Sequence, residues 1–326
     1  MKPDYLWDRS GEPDPELQRL ERVLGGLGFR GGELQLPDEP APVAPPRGRP
    51  HPWRFWLSGL AAAVLLLWSG LQLRGARAGW TVQRLTGAPR VGSATLDGQG
   101  RLRVRDWLET DAGSSARVQI GSIGEVEVAP NTRVQLTAAD PTAHGLKLER
   151  GRLSAKVKAP PRLFFVDTPA AKAWDLGCAY ELEVDARGDG LLHVTQGFVE
   201  LDRGGVTAYV PWGARCRISA ERGPGTPYFP EAEPMLIDVL GKIDSARASP
   251  ETMAEAIAIV CRVAGERDTL SLWNLLPRVD RPERALLFDR IAVLLPMMRG
   301  IDRERVLAAD AAMLQELRDQ LGLLWF

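Results

Sequence analysis

Residues 55–73, FWLSGLAAAVLLLWSGLQL, constrain this 326-residue chain more than any other stretch. The run carries no charged residue, and Gln72 is its one strongly polar side chain. As a helix it would be roughly 28 Å long, near the hydrocarbon thickness of a bilayer. Trp53 and Trp56 stand at one end and Trp68 near the other, where indole rings favour a membrane interface. Arg47, Arg49 and Arg54 precede the run, and Arg74 and Arg77 follow it. The pattern predicts a single transmembrane helix over 55–73. A helix buried in a soluble domain rarely stays free of charge for so long. Ala76-Arg77-Ala78 has the small-residue form of a leader cleavage site, but a leader begins near residue 1, and this run follows a polar arm. Basic residues are slightly denser before the run, so the positive-inside rule places residues 1–54 in the cytoplasm.

Charged residues make up 25% of the chain and the net charge is −1, as in an ordinary globular protein, and nothing in them points to a basic nucleic-acid surface. The length leaves room for two domains after the apolar run. Cys178, Cys216 and Cys261 form no C-x-x-C pair, and with His51, His144 and His193 they show no metal-ligand spacing. Cys178 and Cys216 fall in the same β-rich stretch. In an oxidising compartment they stay open as a disulfide or as two buried thiols, because spacing does not set their distance.

The arm, residues 1–36, opens with Asp4-Tyr5-Leu6-Trp7-Asp8. Asp14 suits a helix N-cap and Pro15 the first helical position. Leu17, Leu20, Leu24 and Leu27 then recur three and four apart, forming one apolar stripe, before Gly25, Gly26 and Gly28 end the helix. So short an arm cannot bury that stripe by itself. With Trp7, those leucines are the expected partner-binding surface. Residues 37–54 are Pro-rich and read as a semi-stiff linker.

From 79 to 220 the texture is one of short alternating runs, such as Thr81–Leu85, Ala116–Ile120, Thr132–Leu136 and Glu181–Val184, parted by Gly, Asp, Asn or Pro. This predicts an all-β domain, mostly antiparallel. Glu125, Glu127, Glu181, Glu183 and Asp185 alternate with apolar residues and belong on the solvated faces of strands. Beyond Gly223–Pro230, residues 231–326 turn helical. The expected elements are Pro234–Ile243, a helix capped at Ser249-Pro250-Glu251, Leu270–Val279, Glu283–Leu295 and Asp302–Leu321, with the terminal Leu323-Leu324-Trp325-Phe326 packed on the last of them. Short helices broken by Pro and Gly resemble a HEAT-like array in architecture alone.

A series of pieces in the β stretch keeps a fixed order. Asp106-Trp107-Leu108-Glu109-Thr110 is followed by Gly113-Ser114-Ser115-Ala116-Arg117-Val118-Gln119-Ile120 and by Pro130-Asn131-Thr132-Arg133-Val134. Leu148-Glu149-Arg150-Gly151-Arg152-Leu153, Val166-Asp167-Thr168-Pro169, Val194-Thr195-Gln196-Gly197-Phe198-Val199 and Pro211-Trp212-Gly213 come after them. In this order they resemble the periplasmic domain of the FecR family, the ferric-citrate-regulator type of sigma-factor regulator. The chain departs from that family at Gly177-Cys178-Ala179-Tyr180, where Gly-Thr-x-Phe is usual, and in its helical C-terminal portion.

The resemblance implies a single-pass protein of the bacterial inner membrane, with the arm cytoplasmic and the bulk periplasmic. It implies an extracytoplasmic-function sigma factor as the arm's partner and an envelope protein as the β domain's. No phosphate loop, nucleophile elbow or zinc-protease helix motif occurs, so neither an enzyme nor a cofactor is expected. A membrane-anchored scaffold or a glycan-binding protein is the alternative reading. The expected fold class is multi-domain: helical arm, one transmembrane helix, all-β FecR-like domain and all-α C-terminal domain.

Overall fold

A computed structural model describes residues 79–245 and 249–325. They lie within one compact unit that spans Leu60–Phe326. Among the described residues seventeen strands pair into two sheets that share one long strand. The first sheet runs, neighbour to neighbour, β4 (Gln99–Arg103), β1 (Gly79–Thr86), β6 (Ser115–Ile120), β7 (Gly124–Val128), β9 (Ala143–Val157), β12 (Ala179–Val184), β13 (Gly190–Gln196), β16 (Arg215–Ser219) and β17 (Gly223–Pro224). The second runs β3 (Ala94–Thr95), β2 (Arg90–Val91), β5 (Trp107–Glu109), β8 (Arg133–Asp140), β9, β10 (Phe164–Asp167), β11 (Lys172–Asp175), β14 (Phe198–Arg203) and β15 (Val206–Pro211). Every pairing is antiparallel except β9 with β10.

Strand β9 explains how one chain serves both sheets. Its first half pairs with β8 and β10, its second with β7 and β12. Leu146 and Leu148 point inward from the first half; Leu153, Ala155 and Val157 do so from the second. The buried set therefore changes parity between 148 and 153, and a strand can do that only where one residue is absorbed out of register. Gly151 lies in that interval at φ +94°, and a Cβ there would lie 2.3 Å from Thr132 Oγ1. Only glycine fits both the left-handed backbone and the contact. The inward faces then share one core, with Val82, Leu102, Val118, Leu153, Leu182 and Leu192 from the first sheet and Leu108, Val134, Leu136, Phe164, Val166 and Val199 from the second. The acidic residues Glu127, Glu181, Glu183 and Asp185 are exposed, as their alternation predicts, and Arg117 spans Glu125 and Glu127 on the adjoining strand.

The helical part holds α1 (Pro234–Ser245), α2 (Pro250–Val263), α3 (Thr269–Leu275), α4 (Arg281–Leu294), α5 (Arg303–Leu307) and α6 (Ala311–Leu321), with 3-10 turns at Leu276–Arg278 and Gly322–Leu324. Ser249 caps α2 through the Thr252 N–H, Asp302 caps α5 through Glu304 and Arg305, and Asp310 caps α6 through Met313. One element expected over Asp302–Leu321 is thus two helices. Ala309, at φ +55°, turns the chain between them and Asp310 starts afresh. Helix α1 packs on α2, both α2 and α3 pack on α4, and α4 packs on α5. These pairings do not in themselves make the HEAT-like array that the texture suggested.

The expected fold class needs correcting in one respect. It contained a transmembrane helix, yet among the described residues no helix is long and apolar enough to cross a membrane. What the structure shows is a β-rich part followed by a helical part. The run at 55–73, the arm at 1–36 and the linker at 37–54 lie outside the described residues.

Candidate functional site

The change of texture near residue 225 is not a break in packing. Residues 223–229 are all buried. Gly223 and Pro224 pair with β16, the Gly225 N–H donates to Arg217 O, and Tyr228 bridges Arg215. Both oxygens of Asp244, near the end of α1, hold Thr226, at 2.7 Å from its N–H and 2.8 Å from its hydroxyl. The helices therefore press directly on the last strands.

Strand β15 pairs with β14 alone, so its outer edge offers unpaired backbone groups. Helix α3 answers them with side chains. Asn274 is buried in an otherwise apolar turn, and its Oδ1 accepts the Tyr209 N–H at 3.0 Å while its Nδ2 donates to Leu270 O at 2.9 Å and reaches Tyr209 O at 3.4 Å. An amide carries donor and acceptor in the spacing a neighbouring strand would present. Two residues along, the Arg278 Nη2 donates to Thr207 O at 2.5 Å and its Nη1 to Pro224 O at 3.2 Å. Aromatic rings close the seam. Tyr209 stacks on Phe198 with centroids 5.2 Å apart, and Trp273 and Trp325 stand 6.4 and 6.2 Å from it. Trp325 is 1% exposed, and its Nε1 donates to Thr269 Oγ1 at 3.2 Å, so this tryptophan is buried against α3 and β15 where packing on the last helices was expected. Leu323 remains 81% exposed. Burial raises the Tyr209 hydroxyl to about 12, against the opposing pull of Arg318, whose guanidinium lies 4.9 Å over the ring.

Beside this seam opens a cleft of about 820 Å³. Strands β13, β16 and β17 form one wall, and α1, α2 and the 3-10 turn at Arg278 form the other. Val206, Ile218, Ile243 and Leu275 supply apolar surface, and Arg217, Arg222 and Arg278 line it together with Asp189, Glu221 and Asp244. Burial holds the Arg278 guanidinium below its ordinary range, and its Nε–H is enclosed with no acceptor.

Of the residues singled out in the sequence, Trp7, Leu17, Leu20, Leu24 and Leu27 lie outside the described residues. Cys178 and Cys216 are separate free thiols, both buried. Cys178 Sγ lies 2.6 Å from Asp175 Oδ2, and Cys216 Sγ lies 3.3 Å from Gly225 O. Burial raises both thiols, which makes them poor nucleophiles. It also raises the Asp175 carboxyl, against the hydrogen bonds it accepts from Cys178 and the Gly177 N–H. His144 packs beside Trp80, with ring centroids 5.9 Å apart, and burial lowers it while Asp140 opposes. Among the described residues no group of three or more His, Cys, Asp or Glu could hold a metal ion. Asn274 and Arg278 passed unremarked in the sequence. The one signal was an amide inside Leu-Trp-Asn-Leu-Leu, a polar residue on a face too apolar to be solvated.

Fold and site together define a two-sheet β structure with a helical extension sealed to its edge. The family model described as FecR protein matches residues 106–218, from the residue before β5 to the end region of β16. Two crystal structures of an anti-sigma factor, so assigned provisionally, from Parabacteroides distasonis ATCC 8503 are also similar. One shares 13% identity, 47% of this chain and 73% of its own, and the other 13%, 48% and 74%, each with a TM-score of 0.33. A likeness at that score carries no argument here. No curated protein matches the sequence.

Proposed function

We propose that this protein is a FecR-type regulator that controls a sigma factor by protein–protein contact. The observation that carries the reading is the FecR match over residues 106–218. Regulators of this type act by binding. The finer assignments belong to the same proposal. The partner is a sigma factor of the extracytoplasmic-function class, and the arm's Leu17, Leu20, Leu24 and Leu27, with Trp7, form its docking surface. The β part, 79–220, and the helical part, 231–326, receive a signal through contact with a second, envelope protein. The reading concerns partner contact and includes no spanning segment.

Burying a leucine against a partner contributes roughly 1.5–3 kcal/mol. Leu20→Asp with Leu24→Asp should therefore weaken capture at least about a hundredfold. The test is co-purification of the sigma factor with the chain, read beside sigma-dependent transcription in a reporter strain. Loss of capture, a changed reporter output and an unchanged urea midpoint are expected. Unchanged capture and output in the double variant would sink the regulatory reading.

A further inference from the structure

The cleft beside β17 serves no purpose in the packing of the seam. Three arginines line it, Arg217, Arg222 and Arg278, and the first and last come from different elements. Arg278 is fixed by its bonds to Pro224 O and Thr207 O. Arg217, exposed on β16, lies between the Tyr228 ring, 5.3 Å away, and Gly241 of α1, where a Cβ would come within 3.0 Å of its Nη1. The missing side chain at Gly241 makes the room that Arg217 occupies. Among the described residues no carboxylate is in ion-pair contact with Arg217 or Arg278, and the Asp244 charge acts on Arg278 from farther off.

The acids that share the cleft are engaged elsewhere. Asp244 holds Thr226 with both oxygens, and Asp189 Oδ1 accepts the Ala220 N–H at 2.9 Å. Glu221 stands exposed at the rim. Arg278, hydrogen-bonded to two backbone carbonyls, and Arg217, over the Tyr228 ring, thus line a space walled by Val206, Ile218, Ile243 and Leu275. A planar guanidinium fork pairs bidentately with a carboxylate as it does with a phosphate, and the apolar wall beside the forks favours a carboxylate that carries an apolar side chain. The volume exceeds what a small acid fills and lies within the range of pockets that enclose a larger ligand. We propose that this cleft binds the C-terminal carboxylate of a peptide whose last residue is apolar, with Arg217 and Arg278 on the carboxylate and the apolar wall on the side chain.

This inference is independent of sigma-factor capture. The Leu20→Asp, Leu24→Asp variant should bind the peptide as the parent does, so failure of either reading leaves the other standing. The test is fluorescence anisotropy on the 326-residue chain, with a fluorescein-labelled pentapeptide ending in alanine, valine and phenylalanine as probe. The free acid should bind saturably and the C-terminal amide about tenfold more weakly or worse. Arg217→Ala, at an exposed position, should weaken the free acid by about tenfold without moving the urea midpoint, and Arg217→Lys should recover part of the loss. Equal binding of acid and amide, no saturation up to about 1 mM, or full binding by Arg217→Ala would overturn the proposal. So would displacement of the peptide by inorganic phosphate more readily than by acetate.

Discussion

Replacing Asn274 tests whether the helices are sealed to the sheet by one amide. In Asn274→Ala the Tyr209 N–H loses its acceptor at 3.0 Å, while Leu270 O keeps its ordinary helical partner. The orphaned donor costs about 1–3 kcal/mol, and the lost contact at Tyr209 O, already long at 3.4 Å, adds little. A net loss of about 2 kcal/mol is expected, a large part of a domain's usual 5–15 kcal/mol. Urea unfolding of the chain measures it as a lower midpoint at constant m. Amide exchange places it, because Tyr209 should exchange faster while Val118, deep in the first sheet, should not. Asn274→Asp sharpens the test. Its carboxylate keeps the Tyr209 N–H but sets charge beside Leu270 O and Tyr209 O, so its folded pKa is raised. A raised carboxyl contributes no penalty below its unfolded pKa and a growing one as pH rises through the folded value, so this variant should weaken steadily relative to the parent on going from acid to neutral pH. A loss below about 0.5 kcal/mol in both variants, or unchanged exchange at Tyr209, would refute the seal.

Trp325→Ala should cost about 3–5 kcal/mol, read by urea midpoint, because it empties a fully buried indole site between Tyr209 and Trp273. Gly151→Ala should cost more than about 1 kcal/mol on thermal unfolding, since φ +94° and a contact at 2.3 Å both oppose a Cβ. Asp175→Asn should gain on the parent as pH rises. The folded Asp175 carboxyl is raised by burial, so its penalty is absent below the ordinary carboxylate range near about 4 and grows above it; a stability difference flat with pH would contradict that.

Much of this architecture was legible because strands with one buried face must alternate. Thr132–Leu136 and Glu181–Val184 declare their inward residues in the sequence, and the turn glycines between them declare the order. The parity change in β9 was not legible. Leu148-Glu149-Arg150-Gly151-Arg152-Leu153 reads equally well as one strand or as two, and only the pairing of each half with a different sheet decides it. Nor was the buried course of residues 223–229. Gly223-Pro224-Gly225 has the composition of a linker, and what buries it is Asp244, close by in space and 18 residues on from Thr226 in sequence. The seam escaped for a related reason: hydrophobic periodicity marks the face that Asn274 lies on, but not that a strand edge waits opposite.

The four edges of the two sheets say how this unit can meet a partner. β3 and β17 are two residues long, too short to template a strand. β4 presents exposed Arg101 and Arg103, charged positions that oppose edge-to-edge pairing. Among the described residues β15, at six residues with a run of backbone groups to offer, is the one edge fit for strand addition, and Asn274 and Arg278 occupy the place of its partner. Strand addition is therefore closed to a partner while the seam holds, which leaves side-chain surfaces and the cleft beside β17. The same residue, Arg278, seals the β15 edge and lines that cleft. A ligand that pulls the guanidinium toward the cleft works against its bonds to Thr207 O and Pro224 O, so occupancy of the cleft and closure of the edge are linked through one side chain. Peptide binding should then raise amide exchange at β15, and a peptide that binds with β15 exchange unchanged would separate the two.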